Sequence, residues 1–280
     1  MNINSAINEG SLILKKNFIP TPQLDSELLM SKVTKKDRKD IILCQNEKLN
    51  LKLYEKFMHL IYQRSKNKPV AYLVGRKDFW KYKFKISEGV LIPRPDTEII
   101  VDQVLKITKY KSDLKILDIG LGSGCILLSI LKEKKFFKGI GIDISKKCVE
   151  IARINASELG LLNRVKIIKS DIDNFVYGKY DFIISNPPYI NKLDLNCLES
   201  DIINYEPKIA LDGGLDGLSV IRRVIDKSSR LIKKNGKFIL EIAFDQKEKV
   251  NNLLIKKGFY INKIIKDYAN NNRCIISTKT

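Results

Sequence analysis

An α/β domain with a mostly parallel sheet, preceded by a small helical domain, is the fold that this 280-residue sequence predicts. From Ile99 onward, short apolar runs alternate with helical patterns, which is the order typical of a doubly wound sheet. Across residues 1–75 the apolar residues instead recur at helical spacing. The two patterns therefore predict two domains of different architecture.

Short helices make up the predicted N-terminal domain. Residues 17–22 separate the first helix from the second, in which Leu24, Leu28 and Leu29 form one apolar face. Residues 49–61 supply another apolar stripe. We therefore expect residues 1–75 to form a small helical domain.

A hairpin is predicted to connect this domain to the rest of the chain, over residues 76–97. Between Asp78 and Ile92 aromatic and lysine side chains alternate, which is typical of strands, and Gly89 is the expected turn. Pro93 and Pro95 then mark the boundary with the α/β domain, residues 98–280.

Strands and helices alternate through most of the α/β domain. Strands are predicted at residues 115–119, 138–142, 165–169, 180–185, 237–243, 260–265 and 273–277, and helices at residues 125–131, 146–159, 219–232 and 246–256. Only residues 267–272 separate the last two strands, which is too short a link for a crossover helix. The last strand is therefore predicted to run antiparallel to its predecessor.

The sequence is strongly basic. Lysine and arginine outnumber aspartate and glutamate by 51 to 32, which gives a formal net charge of +19. Such an excess is typical of proteins that bind nucleic acid or another polyanion. The charge is spread along the chain, however, and isoleucine and asparagine are over-used as well, so a nucleotide-composition bias explains it equally well.

Membrane insertion, disulfide bonding and metal binding find no support in the sequence. No run approaches the roughly 18 apolar residues of a membrane helix, and the polar start lacks the apolar region of a signal peptide. The five cysteines form no C-x-x-C pair, and the single histidine, His59, has no second histidine for a metal site. We expect a cytoplasmic protein with no bound metal.

A glycine-rich loop follows the strand at residues 115–119 and opens the next helix. Glycines allow the backbone to approach a ligand at the carboxyl end of a sheet. The spacing is G-x-G-x-G rather than the G-x-G-x-x-G of pyrophosphate-binding loops, which predicts a different nucleotide-like ligand or, alternatively, a plain tight turn. The loop comprises Gly120, Leu121, Gly122, Ser123 and Gly124.

Two aspartates follow the next two strands. Asp143 lies 19 residues after Gly124, where its carboxylate can accept both hydroxyls of a ribose. Together with Ser145 it is also a candidate for capping the next helix, although the nearby glycine loop favours ribose recognition. Asp171 follows the third strand and is placed to meet an adenine amino group, with a turn residue as the alternative.

A second motif, Asn186-Pro187-Pro188-Tyr189, follows the strand at residues 180–185. Since the carboxyl ends of parallel strands meet at one edge of a sheet, this motif and the glycine loop are expected side by side. Asn-Pro-Pro by itself is more often only a turn. Its place beside the glycine loop is what predicts a chemical role.

The motif suits an attack by a planar NH2 group, which is a poor nucleophile because its lone pair is delocalised. A catalyst must accept the two hydrogens and turn the nitrogen toward the electrophile. Asn186 can supply a side-chain carbonyl and Pro187 a backbone carbonyl, which the prolines hold in place at little entropic cost. Tyr189 offers a flat face for the amide or base. No strong general base is needed, since the proton is lost after the nitrogen becomes cationic.

These residues resemble the class I methyltransferases that methylate amino groups with S-adenosylmethionine. The resemblance rests on residues 117–124, Asp143 and residues 186–189. It implies a Rossmann-like methyltransferase sheet in the α/β domain and S-adenosylmethionine as the methyl donor, with S-adenosylhomocysteine as the product.

The rest of the chain narrows the resemblance to the PrmC (HemK) family of release factor glutamine methyltransferases. The similarity covers nearly the whole chain and is weakest before Pro69. It is carried by residues 68–75 (KPVAYLVG), residues 79–80 (FW), residues 91–98 (LIPRPDTE), and residues 205–207 (YEP) with 210–211 (AL).

The family resemblance implies a particular reaction. The substrate is the glutamine of the Gly-Gly-Gln loop in class I peptide chain release factors, which becomes N5-methylglutamine. Residues 120–124, Asp143 and Asn186 would contact the cofactor, and residues 186–189 would contact the substrate amide. The small N-terminal helical domain is suited to gripping a protein, so we assign it to substrate recognition.

Some positions depart from the family pattern or allow two interpretations. Leu121 stands where a small polar residue is common, and Ile172 stands where an aromatic residue often follows the aspartate, so the adenine slot is expected to be less stacked. Arg94, Asp96 and Glu98 either lie beside the cofactor or belong to a linker and a helix cap that Asp96 or Thr97 supplies.

Two other functions stay open. An adenine-N6 methyltransferase acting on nucleic acid would use the same motif on another planar NH2 group, and the charge favours it. The sequence has no separate target-recognition domain, however, and a paired base would have to be flipped out. A binding module without catalysis is the other alternative. We expect release factors as partners and do not expect nucleic acid as a substrate.

Overall fold

The protein is described from a computed structural model that covers all of its residues, Met1–Thr280. The chain divides into two compact units. The first comprises Met1–Arg76 with Glu199–Tyr205, and the second comprises Lys77–Leu198 with Glu206–Thr280. Each unit has a hydrophobic core of its own.

Helices form the first unit, as the sequence predicts for the N-terminal region. Their bounds are Ile3–Lys16 (α1), Pro22–Thr34 (α2), Arg38–Leu43 (α3), Leu51–Ser65 (α4), Val70–Val74 (α5) and, from later in the chain, Ser200–Tyr205 (α9). Asn2 and Asn50 begin α1 and α4, where their side-chain oxygens accept hydrogen bonds from backbone N–H groups of the first turn. The apolar faces of these helices meet around Leu14, Phe57 and Ile61.

The buried face of α2 differs from the predicted one. Leu29 is fully buried, but Leu24 is 38% exposed, and Asp25 is buried in the interior instead. Arg64 of α4 lies 2.6 Å from the Asp25 carboxylate, and both side chains are almost completely buried. A carboxylate occupies such a position only when it is paired, and apolar periodicity gives no sign of that pairing.

The predicted hairpin is present, but its turn lies elsewhere. Strands Arg76–Phe79 (β1) and Tyr82–Lys85 (β2) pair with each other, and Trp80 and Lys81 join them. Trp80 takes the left-handed conformation, and Glu98 accepts a hydrogen bond from its backbone N–H. Gly89, the predicted turn residue, lies beyond the hairpin. The alternation of aromatic and lysine residues indicates that strands are present, but it does not show at which residues the chain turns between them.

A seven-stranded sheet organises the second unit, in the order β5-β4-β3-β6-β7-β9-β8. The strands are Lys115–Ile119 (β3), Lys138–Asp143 (β4), Val165–Lys169 (β5), Tyr180–Ser185 (β6), Ile232–Glu241 (β7), Phe259–Lys266 (β8) and Asn272–Lys279 (β9). The helices are Glu98–Ile107 (α6), Cys125–Glu133 (α7), Lys146–Glu158 (α8), Ser219–Leu231 (α10) and Lys247–Lys256 (α11).

The sheet confirms the predicted class and the direction of its last strand. Strands β3 to β7 are parallel, while β9 runs antiparallel to both β7 and β8 and lies between them. Apolar side chains of successive residues enter cores on opposite faces, as with Ile116 and Leu117 of β3. Burial on both faces explains why the central strands are almost continuously apolar.

The parallel strands bring their carboxyl ends to one edge of the sheet. In the observed register Ile119 lies beside both Ile142 and Ser185, and Ser185 lies beside Leu240. The residues that follow these positions are therefore close in space although they are far apart in sequence. No helix of the protein has both the length and the apolar character needed to cross a membrane.

Candidate active site

A cavity opens at this edge of the sheet, within the second unit. Most of the residues that the sequence singles out line it: Gly120, Gly122, Asp143, Asp171, Ile172, Asn186, Pro187 and Pro188. Leu121, Ser123, Gly124 and Tyr189 were also predicted to belong to the site but do not line this cavity. The fold thus assembles both sequence motifs around one opening.

The glycine loop is held open by its backbone conformation. Gly120, Gly122 and Gly124 all have positive φ angles, between 57° and 83°. At Gly122 a Cβ atom would meet nothing within 4 Å, so glycine is required there by conformation and leaves backbone facing free space. Leu121 is buried beneath the loop in the core, which anchors it and explains the departure from a small polar residue.

Asp143 connects the glycine loop to the start of α8. One carboxylate oxygen accepts a hydrogen bond from the Gly122 N–H (2.8 Å) and the other accepts one from the Ser145 N–H (2.9 Å). Burial raises the pKa of this carboxyl above its usual value, while these hydrogen bonds lower it. Ser145, not Asp143, caps α8, since its hydroxyl accepts from the Cys148 N–H. Asp143 therefore has a loop-organising role in addition to the predicted ribose contact.

Asp171 lies at the cavity but is partly engaged by the protein. Its Oδ1 accepts a hydrogen bond from the Asp173 N–H (2.9 Å) and lies 2.6 Å from the Arg223 guanidinium. The turn-residue alternative is therefore present in the structure, and Oδ2 is the atom left for a ligand. Ile172, beside it, is almost fully buried and adds an apolar wall.

Asn186 presents its side-chain amide in a defined orientation. Its Nδ2 donates a hydrogen bond to the Thr97 hydroxyl (3.1 Å), and its Oδ1 accepts none from the protein. The strand before it is fixed to β3, because the buried Ser185 hydroxyl donates to the Ile119 carbonyl (2.7 Å). An amide carbonyl that has no partner in the protein, at the wall of a cavity, is able to accept a hydrogen from a ligand.

Tyr189 is held from two sides. Its hydroxyl lies 3.4 Å from Glu241 Oε1, and its backbone carbonyl accepts a hydrogen bond from Gln246 Nε2 (2.9 Å). Burial, with the negative charge of Glu241, raises the pKa of the phenol, which therefore stays protonated. The proposed stacking of a ligand on its ring stays a prediction.

Two buried acids at this edge were missed by the sequence reasoning. Asp118 is fully buried, and neither of its side-chain oxygens has a hydrogen-bond partner. Burial, together with the charge of Asp143, raises the pKa of this carboxyl to about 8. Glu241 is 1% exposed at the end of β7, and burial raises its pKa to about 7. Both acids could have been found in the sequence, because each lies within an otherwise apolar strand, and an acidic side chain is unusual in a protein interior.

In the run LIPRPDTE (residues 91–98) only Leu91 lines the cavity, and the other residues lie behind its wall. Arg94 Nη2 pairs with the buried carboxylate of Glu206 at 2.6 Å, and Glu98 accepts from the Trp80 N–H. Asp96 lies 3.9 Å from Arg273. Thr97 stands before α6 but makes no cap hydrogen bond with its side chain, so the cap interpretation is wrong for Thr97.

Comparisons with known proteins agree with this fold. Residues 97–214 match the family described as the methyltransferase small domain, and residues 5–75 match the PrmC N-terminal domain. A solved methyltransferase from Pyrococcus furiosus superposes with a TM-score of 0.52 at 21% identity, over 70% of this chain and 87% of that one. The family match and the fold together make this chain a methyltransferase with a Rossmann-like sheet.

Full-length relatives identify the family within that class. The release factor glutamine methyltransferase of Buchnera aphidicola is 38% identical over 100% of this chain and 99% of its own length. That of Caulobacter vibrioides is 34% identical over 95% and 92%. The chain belongs to the release factor glutamine methyltransferase family.

Proposed function

We propose that the protein transfers a methyl group from S-adenosylmethionine to the side-chain amide nitrogen of the glutamine in the Gly-Gly-Gln motif of class I peptide chain release factors. The products are N5-methylglutamine and S-adenosylhomocysteine. The observation that carries the proposal is Asn186, whose amide nitrogen is held by Thr97 while its carbonyl oxygen stays unpartnered at the cavity. Family membership supplies the identity of the substrate.

The residues of the cavity fit the methyl donor. Backbone at Gly120 and Gly122, unshielded by side chains, can approach the amino-acid part of the donor, and the Asp143 carboxylate can accept ribose hydroxyls with its remaining lone pairs. Ile172 and Asp171 can hold the adenine ring and its amino group. When bound, S-adenosylmethionine supplies an electrophilic methyl group on a sulfonium.

The chain's own residues would prepare the nucleophile. Asn186 Oδ1 and the Pro187 carbonyl accept the two N–H groups of the glutamine amide, which orients its nitrogen and restores electron density to it. The ring geometry of Pro187 and Pro188 fixes the backbone in advance, so little entropy is lost on binding. A proton leaves after the nitrogen becomes cationic, so the absence of a catalytic histidine is consistent with the reaction.

The first unit is proposed to recognise the release factor, because the donor cavity is built entirely from residues of the second unit. We further propose that the reaction takes place in the cytoplasm and that nucleic acid is not a substrate.

A transfer assay tests the proposed function. The purified protein is incubated with methyl-labelled S-adenosylmethionine and, separately, with a release factor, the same factor with its loop glutamine changed to asparagine, duplex DNA and single-stranded DNA. Label on the unchanged factor alone is the expected result. Label on DNA alone would replace the proposal with adenine methylation, and label nowhere, with intact cofactor binding, would favour a binding module.

A further inference from the structure

The motif at residues 186–189 needs an anchor on each side, because its two prolines have no backbone N–H to donate. Strand β6 ends at Ser185, so the sheet holds the chain only up to the residue before the motif. On the far side, Ile190 forms an isolated parallel bridge with Asp212. All the residues that the proposed function assigns to the substrate amide therefore lie between two anchors, and the second of these is outside the sheet.

Gln246, the residue before α11, strengthens the second anchor by fixing the backbone of Tyr189. Its Nε2 donates hydrogen bonds to the carbonyl oxygens of Tyr189 (2.9 Å) and Gly217 (3.1 Å). Its Oε1 accepts a hydrogen bond from the Ala243 N–H (3.1 Å). The residue is 5% exposed, so water does not compete for these groups. One side chain thus links the end of the motif to the loop before α10 and to the segment that follows β7.

These partners allow only one orientation of the Gln246 amide. A carbonyl oxygen can only accept and a backbone N–H can only donate, so rotating the amide by 180° would break all three hydrogen bonds. A glutamate carboxylate at this position would lack the two donors, and a methionine would lack all three groups. The hydrogen bonds therefore hold the Tyr189 carbonyl in one direction.

Gly217 allows the loop before α10 to approach the same carbonyl. Its φ angle is +71°, and a Cβ atom there would lie 2.6 Å from the Tyr189 oxygen and 2.7 Å from Gln246 Nε2. Both distances are too short for a real side chain, so a residue other than glycine would displace these groups. We call Gln246 and Gly217 together the Tyr189 clamp.

The clamp lies behind the substrate side of the motif and apart from the donor cavity. Gln246, Gly217 and Tyr189 do not line that cavity, whereas Pro187 and Pro188 do. Loss of the clamp is therefore expected to disturb the backbone of the motif before it disturbs the contacts to S-adenosylmethionine.

We propose that Gln246 is a positioning residue for methyl transfer: by fixing the Tyr189 carbonyl, it sets the direction of the motif backbone and with it the Pro187 carbonyl that accepts a hydrogen of the substrate amide. This inference rests on the proposed function for its effect on turnover. The hold on Tyr189 itself follows from the hydrogen bonds alone.

Kinetics of Gln246→Met in the full-length protein test the inference, since methionine keeps the length of the side chain and removes its hydrogen bonds. We expect kcat for release factor methylation to fall by about 10- to 100-fold, because a displaced reacting group costs rates of this order. The KM for the release factor and the Kd for S-adenosylmethionine should stay within a few-fold of the wild type. Wild-type kcat would overturn the inference. So would a loss of cofactor affinity as large as the loss in kcat, which a merely structural role would produce.

Two glycines provide a matched pair that also covers the case in which Gln246→Met fails to fold. Gly217→Ala and Gly160→Ala both place alanine at a positive φ angle, +71° and +70°, and should lower the unfolding temperature by a similar few degrees from that cause. A Cβ atom at Gly160 would meet nothing within 4 Å, so only Gly217→Ala displaces the Tyr189 carbonyl. Well below both unfolding temperatures, Gly217→Ala should lose at least about 10-fold in kcat and Gly160→Ala less than about 2-fold. Equal kcat in the two variants would contradict the role of the clamp.

A spectroscopic readout separates this inference from the proposed function. The N–H of Ile190 is attached to the Tyr189 carbonyl, so its amide signal senses the hydrogen bond from Gln246. That signal should shift in Gln246→Met and Gly217→Ala and stay in place in Gly160→Ala. An Ile190 signal that stays in place in all three variants overturns the inference even if release factors are methylated. The expected shifts in a protein that methylates no release factor support the hold on Tyr189 and reject the proposed function.

Discussion

Single residues at the edge of the sheet differ in how many of their polar atoms the protein already uses. Asp143 uses both carboxylate oxygens to hold the glycine loop and the start of α8. Asn186 uses only its nitrogen, which leaves the oxygen for a ligand. This difference separates a residue that builds the cofactor site from one that orients the nucleophile.

The two residues should therefore fail in different ways. Asn186→Ala is expected to abolish turnover while leaving most of the affinity for S-adenosylmethionine, and Asp143→Ala is expected to lose cofactor binding first. Isothermal titration with S-adenosylmethionine, combined with the transfer assay, measures both effects. The reverse order would show that the two roles are wrongly assigned.

Asp118 leads to a prediction about stability. Its pKa of about 8 in the folded protein lies above the roughly 4 of an unfolded chain, so the folded state holds the proton more tightly. Its contribution to the free energy of unfolding is therefore full at low pH and is lost as the pH rises toward 8. Asp118→Asn should raise the free energy of unfolding at pH 8 by on the order of 1–2 kcal/mol and flatten its pH dependence.

Urea unfolding at pH 6 and pH 8 measures the effect of Asp118→Asn. The exposed Asp245 supplies the control, since Asp245→Asn should keep the wild-type slope. Glu241, whose pKa is also raised, would leave a smaller slope of the same sign in Asp118→Asn. If the free energy of unfolding of Asp118→Asn changed between pH 6 and pH 8 as much as that of the wild type, Asp118 would not be the source of the pH dependence.

At the scale of elements, the glycines of β4 leave room for side chains that pack on this strand, including Leu121 of the glycine loop. A Cβ atom at Gly141 would lie 2.5 Å from Leu121, the buried residue of the loop. A Cβ atom at Gly139 would lie 2.8 Å from Leu127 of α7. Two positions of one strand, two residues apart, thus pack against different structures. Gly141 packs against the glycine loop, and Gly139 packs against α7, the helix that follows the loop.

This arrangement makes Gly141→Ala and Gly139→Ala a matched pair. Both should lower the free energy of unfolding by about 1–3 kcal/mol, because each adds a methyl group to a packed core. Only Gly141→Ala should also weaken S-adenosylmethionine binding, since it displaces Leu121 and with it the loop. Thermal unfolding and titration calorimetry measure the two effects. Equal cofactor affinity in both variants would show that the loop does not depend on this contact.

At the scale of the whole molecule, two units with separate cores divide the proposed tasks. The donor cavity belongs to the second unit, so a change in the core of the first should affect stability and substrate recognition but spare cofactor binding. The Asp25–Arg64 pair is suited to this test, because both side chains are buried and both belong to the first unit.

Arg64→Met leaves the buried Asp25 carboxylate without its cationic partner and with the Thr21 hydroxyl as a hydrogen-bond donor. We expect a loss of about 3–5 kcal/mol in the free energy of unfolding of the first unit, reduced methylation of release factors and unchanged affinity for S-adenosylmethionine. Lys36→Met is the control, since Lys36 pairs with Glu47 at the surface, where an ion pair contributes about 0–1 kcal/mol. Equal stability of the two variants would show that the buried pair is not required.

The sequence by itself determined the α/β class, the antiparallel last strand, the glycine loop and the Asn186-Pro187-Pro188-Tyr189 motif. These follow from local periodicity, link length and residue chemistry, which are read over a few neighbouring positions. Its family resemblance is likewise confirmed by full-length relatives. The roles assigned to individual site residues stay predictions.

Only the tertiary structure decided which distant side chains meet. Asn186 meets Thr97 and Tyr189 meets Glu241, although the partners are far apart in sequence. Asp25 is buried because Arg64 reaches it from another helix. The turn at Trp80 likewise depends on Glu98, which is remote from it in sequence. Such pairings satisfy buried polar groups across the fold, and a one-dimensional pattern of apolar residues contains no record of them.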